Sequence, residues 1–160
     1  MVIDKKAKET KPMEQKSTSK KDYISAIGRR KESVARVRLY KNNNVLWNGI
    51  AINKGEISVN KKMAHEYFGA QAEKVYKEPL RITNTGKNFA ITVLVSGGGK
   101  MGQLDATVLG IARALDKVDH EKFRPILKKK GLLTRDPRVR ERRKVGMGGK
   151  ARRRKQSPKR

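Results

Sequence analysis

The last 23 residues, Arg138 to Arg160, set the strongest limit on how this chain can fold, because they hold twelve Lys or Arg and a single acid, Glu141. A segment this charged and this poor in apolar side chains cannot bury a core, and alone it repels itself. From Arg143 onward, RKVGMGGKARRRKQSPKR has nine cations, three glycines and no acid. The fold must therefore lie upstream, and the arm needs a polyanion to neutralise it.

Upstream the charge divides again. Residues 1–21 hold seven Lys and three acids without apolar periodicity, which predicts a disordered Lys-rich extension. Residues 22–137 hold 22 basic and 11 acidic residues with the apolar periods of a fold. The expected organisation is a globular α+β body over 22–137, flanked by that extension and by an extended basic tail over 138–160. A chain of 160 residues suits one ordinary domain. Its net charge of +26 points to nucleic acid, since Lys and Arg gain affinity by releasing condensed counterions. No long apolar run or basic amphipathic helix argues for a membrane. The absence of cysteine excludes disulfides and thiolate metal sites. His65 and His120 lie far apart and read as surface residues, so no metal or cofactor is expected. The N-terminus lacks the apolar stretch of a signal peptide. It also lacks Arg and carries Asp4, Glu9 and Glu14, unlike a mitochondrial presequence, so a cytoplasmic protein is expected.

Within the body, SVARVRLY (Ser33 to Tyr40) alternates: Ala35, Val37 and Leu39 on one face, Val34, Arg36 and Arg38 on the other. That predicts a half-buried strand with guanidinium groups on its open side. YISAI reads as a preceding strand and GRRK (Gly28 to Lys31) as the turn between them. VLWNGIAI (Val45 to Ile52) signals a hairpin through Asn48-Gly49. EISVN reads as a short strand whose Asn60 caps a helix from about Lys61 to Lys77. That helix carries an apolar stripe of Met63, Tyr67 and Val75, broken near Gly69. FAITVLVSG (Phe89 to Gly97) is nearly continuously apolar, as a central strand covered on both faces would be. Leu104, Val108, Ile111, Leu115 and Val118 recur at helical spacing and predict an amphipathic helix on the sheet. A second helix, about Glu121 to Lys130, ends at Gly131. Its Lys128, Lys129 and Lys130 suit either the helix dipole or RNA.

SGGGKMGQ (Ser96 to Gln103) sits between strand and helix, and Gly97, Gly99 and Gly102 match GxGxxG. The dinucleotide reading needs a second strand ending in an acid about twenty residues later, where helix is predicted instead. The phosphate-loop reading fails because Gln103-Leu104 stands where Lys-Ser/Thr is required. Two readings remain: a tight structural turn, or a glycine turn that seats one phosphate with Lys100 beside it. No nucleophile–base pair, paired carboxylates or metal-ligand spacing can be nominated, so the chain is not read as an enzyme.

Four segments, AIGRRKESVARVRLY (26–40), ISVNKKMAHEYF (57–68), ITVLVSGGGKMGQLDATVLGIARAL (91–115) and GLLTRDPRVRERRKVGMGGKARRRKQSPKR (131–160), together resemble the ribosomal protein S-nine family of the small subunit. The resemblance implies an α+β fold with a mixed sheet, packed helices and a left-handed βαβ crossover, like the second domain of ribosomal protein S-five. It relates the glycine loop to kinases of the galactokinase and homoserine kinase type, without their catalysis. It further implies a seat on rRNA in the subunit head among neighbouring head proteins, with the tail running toward the anticodon stem-loop of the P-site tRNA. On this reading rRNA contacts come from Arg29, Arg30, Lys31, Arg36, Arg38, Lys100, Arg135, Arg138, Arg140, Arg142, Arg143, Lys144, Lys150, Arg152, Arg153, Arg154 and Lys155. Lys159 and Arg160 match the residues that touch tRNA. The end departs from the family, with no aromatic shortly before a closing Ser-Lys-Arg and with Pro158 inserted. The 42–53 hairpin and the 1–21 extension are longer than usual.

The arm can then be read physically. Fifteen extended residues from Gly146 span roughly 50 Å, and the Arg152-Arg153-Arg154 forks match phosphate oxygens in pairs. Such contacts position without specifying; specificity comes from the shape of folded RNA. An electrostatic anchor without tRNA contact is the simpler role for the tip. A DNA-compacting protein would show simpler Lys/Ala/Pro repeats and a dimerising helix pattern, and neither is present.

Overall fold

The computed structural model describes residues 22–42, 45–47 and 49–142. Strands β1 (Tyr23–Arg30) and β2 (Ser33–Tyr40) form a hairpin, followed by the small hairpin of β3 (Val45–Trp47) and β4 (Ile50–Ile52). Next come β5 (Ile57–Val59), β6 (Lys62–Met63), and the short helices α1 (Ala64–Phe68), α2 (Glu73–Tyr76) and α3 (Glu78–Ile82). Strand β7 (Ala90–Ser96) leads into α4 (Lys100–Val118) and α5 (His120–Lys129). The main sheet has the order β1-β2-β7-β5-β6 and is mixed: β5 pairs with β7 in parallel, the other neighbours antiparallel. The architecture is α+β, with several helices packed on a mixed sheet.

Alternation decides the faces. Ala35, Val37 and Leu39 pair across to Val95, Val93 and Ile91, and all six are buried together with Ile57 and Val59. Helix α4, about 28 Å long at 1.5 Å per residue, lies on this face. It buries Leu104, Val108, Ile111 and Leu115 as the period predicts, but also Ala106, Leu109, Ala112 and Ala114. The wider burial arises because the short helices and α5 also pack against it. β7 is central, as expected; its residues Ala90–Val93 are buried on both faces, whereas Leu94 and Ser96 are exposed.

Three local expectations are corrected. GRRK is not the turn: β1 runs through Arg30, and the chain reverses at Lys31-Glu32, with Lys31 at φ +50°. Gly28 faces α4, where an added Cβ would lie 1.9 Å from the Ala106 carbonyl oxygen and 2.5 Å from the Gly110 nitrogen. It is a contact glycine, absent a side chain so that helix and strand backbones can touch. Asn60 caps no helix. It turns the chain at φ +46°, and its side-chain amide both accepts from the Val95 N–H (2.9 Å) and donates to the Val95 carbonyl (3.2 Å), extending the parallel ladder. The predicted 61–77 helix is instead a short strand, α1, a 3₁₀ turn and α2, broken at Gly69 (φ +92°), and Pro79 lies in the first turn of α3 that follows. Val75 consequently leaves the apolar stripe and is exposed.

Helix α5 starts with Asp119 accepting from the Lys122 N–H at 3.1 Å. At its far end Gly131 N–H bonds the Lys128 carbonyl and Leu132 N–H the Leu127 carbonyl, the paired bonds of a Schellman stop. With Gly131 at φ +71°, that stop turns the chain back toward β1.

Candidate nucleic-acid interface

The glycine loop follows from how β7 must hand over to α4. Gly97 and Gly98 sit at φ +72° and +61°, where a side chain would be strained. There is also no room: a Cβ on Gly97 would meet the Glu32 carbonyl at 2.5 Å, and one on Gly98 the Ser33 hydroxyl at 2.1 Å. The loop is held from both sides. Buried Ser33 donates to the Gly97 carbonyl at 3.1 Å, and Gln103 Nε2 donates to the same oxygen at 3.0 Å. Tyr67 in turn donates to Gln103 Oε1 at 2.8 Å. Gly99 caps α4 without a side-chain bond, the first turn has no acid, and Lys100 is its first residue. A cation at a helix N-terminus is electrostatically unfavourable; an anion placed there would relieve both the cation and the free N–H groups.

Three separate stretches converge at this loop. Lys31 from the β1–β2 turn, Lys100 from the loop, and Val139 and Arg140 from the start of the arm line one groove of about 700 Å³ with Gly98, Gly99 and Gly102. Glu32 is the one acid lining it. Lys31, Lys100 and Arg140, three of the sequence-nominated residues, are thus neighbours around exposed backbone, an arrangement suited to a sugar-phosphate strand.

Arg30 has a different position. Its half-buried guanidinium donates to the Arg138 carbonyl at 2.7 Å and pairs with Asp136 at 3.0 Å and Asp105 at 3.4 Å. Asp136 also accepts from the Arg138 backbone N–H and is gripped by its guanidinium at 2.6 and 3.0 Å. The Arg138 hydrogen bonds hold the Asp136 carboxyl well below the usual carboxylate range, and Asp136 pushes Arg138 upward. This clasp pins the arm's first residues beside the glycine loop. Because the folded pKa of Asp136 is depressed below its ordinary value of 3.8, its contribution is present above that value and is lost as pH falls below it toward the folded pKa. The expected result is that the Arg30 and Arg138 Nε–H resonances hold steady from pH 5 to 8, move only in strong acid, and move at pH 7 in Asp136→Asn. Resonances unchanged in that variant would remove the clasp.

The remaining nominees are spread out. Arg29, Arg36 and Arg38 lie on the sheet face opposite α4, where Ile27, Arg36 and Leu94 form one row across three strands. Ile27 and Leu94 are 47% and 38% exposed, leaving part of this face uncovered, while Trp47 and Ile52 bury against Ala90 at its other end. The Arg38 guanidinium lies 4.9 Å from the Tyr23 ring centroid, a contact of about 0.5–1 kcal/mol at an exposed site. Arg135 and Arg142 are exposed. Arg143, Lys144, Lys150, Arg152, Arg153, Arg154, Lys155, Lys159 and Arg160 lie outside the described residues.

Sequence reasoning missed the residues that shape the site without contacting a ligand: Ser33, Tyr67 and Gln103 around the loop, Asp105 and Asp136 under the arm. The two aspartates lie 31 positions apart in sequence and show no local pattern. Gln103 was visible only as the end of a glycine motif. Among the described residues no group of His, Asp and Glu could hold a metal, and no helix is long and apolar enough to cross a membrane. A family model described as ribosomal protein S9/S16 matches residues 28–160.

Proposed function

We propose how this chain works from one established premise: it belongs to the ribosomal protein S9/S16 family, structural proteins of the small ribosomal subunit that bind rRNA and serve translation. The body, residues 22–137, seats on folded rRNA in the subunit head, and the tail, 138–160, continues from the glycine-loop groove into the RNA. The observation that carries this reading is the convergence of Lys31, Lys100 and Arg140 on one groove at the point where the arm begins. The arm's first cations and the loop's free N–H groups then bind the same RNA strand. Arg29, Arg36, Arg38, Arg135 and Arg142 add phosphate contacts around it, and Arg143, Lys144, Lys150, Arg152, Arg153, Arg154 and Lys155 carry them along the tail. Arg30 and Arg138 contribute chiefly by fixing the tail's direction.

Lys159 and Arg160 at the tip meet the backbone of the P-site tRNA anticodon stem-loop. The β5–β7 pair with its intervening helices is the family's βαβ unit, with a left-handed crossover. The glycine loop keeps the shape of a nucleotide site but serves RNA, without catalysis or cofactor, on cytoplasmic ribosomes beside other head proteins. Support for these finer points is the matched order of motifs and the charge pattern.

The test removes Ser157–Arg160. Subunits should assemble with the truncated chain at normal stoichiometry, while P-site tRNA binds several-fold more weakly because two phosphate-facing cations are gone. Unchanged tRNA affinity would sink the tRNA contact and leave an rRNA anchor. Ultraviolet crosslinking of peptides from 150–160 separates the same alternatives by the RNA attached.

A further inference from the structure

A second basic groove lies at the other end of the central strand. It has a volume of about 600 Å³ and is lined by Lys54, Lys77, Arg81 and Lys87 together with Gly55, Leu80 and Gly86, with Glu56 the one acid lining it. Lys77 is ion-paired to Glu73, and the Glu56 carboxylate accepts the Asn53 N–H at 2.8 Å. Lys54, Arg81 and Lys87 are exposed and make no ion pair among the described residues. Three cations without an ion pair, against the single Glu56 carboxylate, therefore line an open groove.

Its place in the fold is fixed by the parallel pair. Lys54 and Gly55 precede β5, Gly86 and Lys87 precede β7, and Gly55 N–H bonds the Phe89 carbonyl at 2.9 Å, so both strands start here. The glycine loop begins where β7 ends, at Gly97. Six strand steps from Ala90 to Ser96 separate the two ends by about 20 Å, roughly the width of a nucleic-acid duplex.

We infer that the Lys54–Arg81–Lys87 groove is a second RNA-backbone seat, and that the body clamps two separate rRNA segments, one at each end of β7. The inference rests on the rRNA-binding reading above. RNA is the occupant that the charge selects: Lys54, Arg81 and Lys87 outnumber the one Glu56 carboxylate around a groove that includes the Gly55 and Gly86 backbones, an arrangement that suits a phosphate ribbon. A clamp of this kind also gives the body, and not only the arm, a role in holding RNA tertiary structure.

The chain has no cysteine, so a single introduced thiol is unique. Exposed Asn88 follows Lys87 beside the second groove and exposed Glu32 lines the first as its one acid, so neither thiol replaces a cation. Full-length Asn88→Cys and Glu32→Cys proteins, each carrying a tethered iron chelate, would be bound to deproteinised small-subunit rRNA and the RNA cleaved by hydroxyl radicals. Two cleavage clusters in different rRNA helices are the expected result. Cleavage of a single helix from both positions would overturn the clamp. Cleavage from Glu32→Cys alone would overturn the second seat while leaving the glycine-loop interface intact, and none from either would count against both. As an independent readout, the triple variant Lys54→Gln, Arg81→Gln, Lys87→Gln should reduce the slope of log affinity against log salt by about 2. An unchanged slope, with the thermal midpoint of the free protein also unchanged, would overturn the seat.

Discussion

Replacing Gly28 by alanine should cost this chain a large part of its stability. The new methyl carbon would lie 1.9 Å from the Ala106 carbonyl oxygen, 2.5 Å from the Gly110 nitrogen and 3.0 Å from the Ala106 carbonyl carbon. All three belong to the backbone of α4, so no side chain can rotate away. Helix and strand must separate, and α4 carries much of the core with it through Leu104, Val108, Ile111 and Leu115. Overpacking typically costs 1–3 kcal/mol and sometimes more; a clash against helix backbone belongs at the upper end, about 3 kcal/mol. For a domain with roughly 5–15 kcal/mol in total, that is a large fraction. Urea unfolding should show the midpoint falling sharply. Gly86→Ala is the control, because nothing lies within 4 Å of its added carbon, and its midpoint should hardly move. Equal midpoints for the two variants would contradict the packing described here.

The second large effect is on RNA affinity. A chain ending at Arg142 loses nine cations and no acid. If most of them sit on phosphates, the dependence of log affinity on log salt becomes shallower by up to about 6, taking roughly 0.7 per single-strand contact. Near 0.1 M salt the truncated chain should bind deproteinised small-subunit rRNA at least about a hundred-fold more weakly, while its thermal unfolding stays where it was. The loss should be uniform across RNA sequences, because phosphate contacts position and do not specify. A slope unchanged by truncation would mean that the body alone makes the phosphate contacts.

The two expectations test different levels of the sequence. The tail's chemistry was legible directly: twelve cations against one acid in 23 residues admit few partners besides a polyanion. Much of the body was legible too, because period two in SVARVRLY and period three to four from Leu104 to Val118 report one-sided burial whatever the partner element is. The α5 boundaries came within a residue for a similar local reason, since Gly131 can take the positive φ that ends a helix.

What failed was wherever the meaning of a residue depends on something distant. Gly28 resembles a turn residue in sequence and is a packing residue in space. Asn60 looks like a helix cap, yet its partner is Val95, 35 positions on. The segment from Lys61 to Lys77 carries a helix-like apolar pattern, but Gly69 and the demands of β6 divide it.

By itself, then, the sequence determined the charge of the arm, the two faces of β2, the long helix and the glycine turn that follows β7, because each depends on side-chain chemistry and short-range period. Only the tertiary structure decided that Arg30 clasps Asp136 and the arm's root, that Lys31, Lys100 and Arg140 share a groove, and that Lys54, Arg81 and Lys87 gather at the opposite end of the strand. The physical reason is that a charge acts through what lies within a few ångströms of it, and here those neighbours are brought together by the packed fold, which sets Lys54 beside Arg81 and Arg30 against Arg138, 108 positions on.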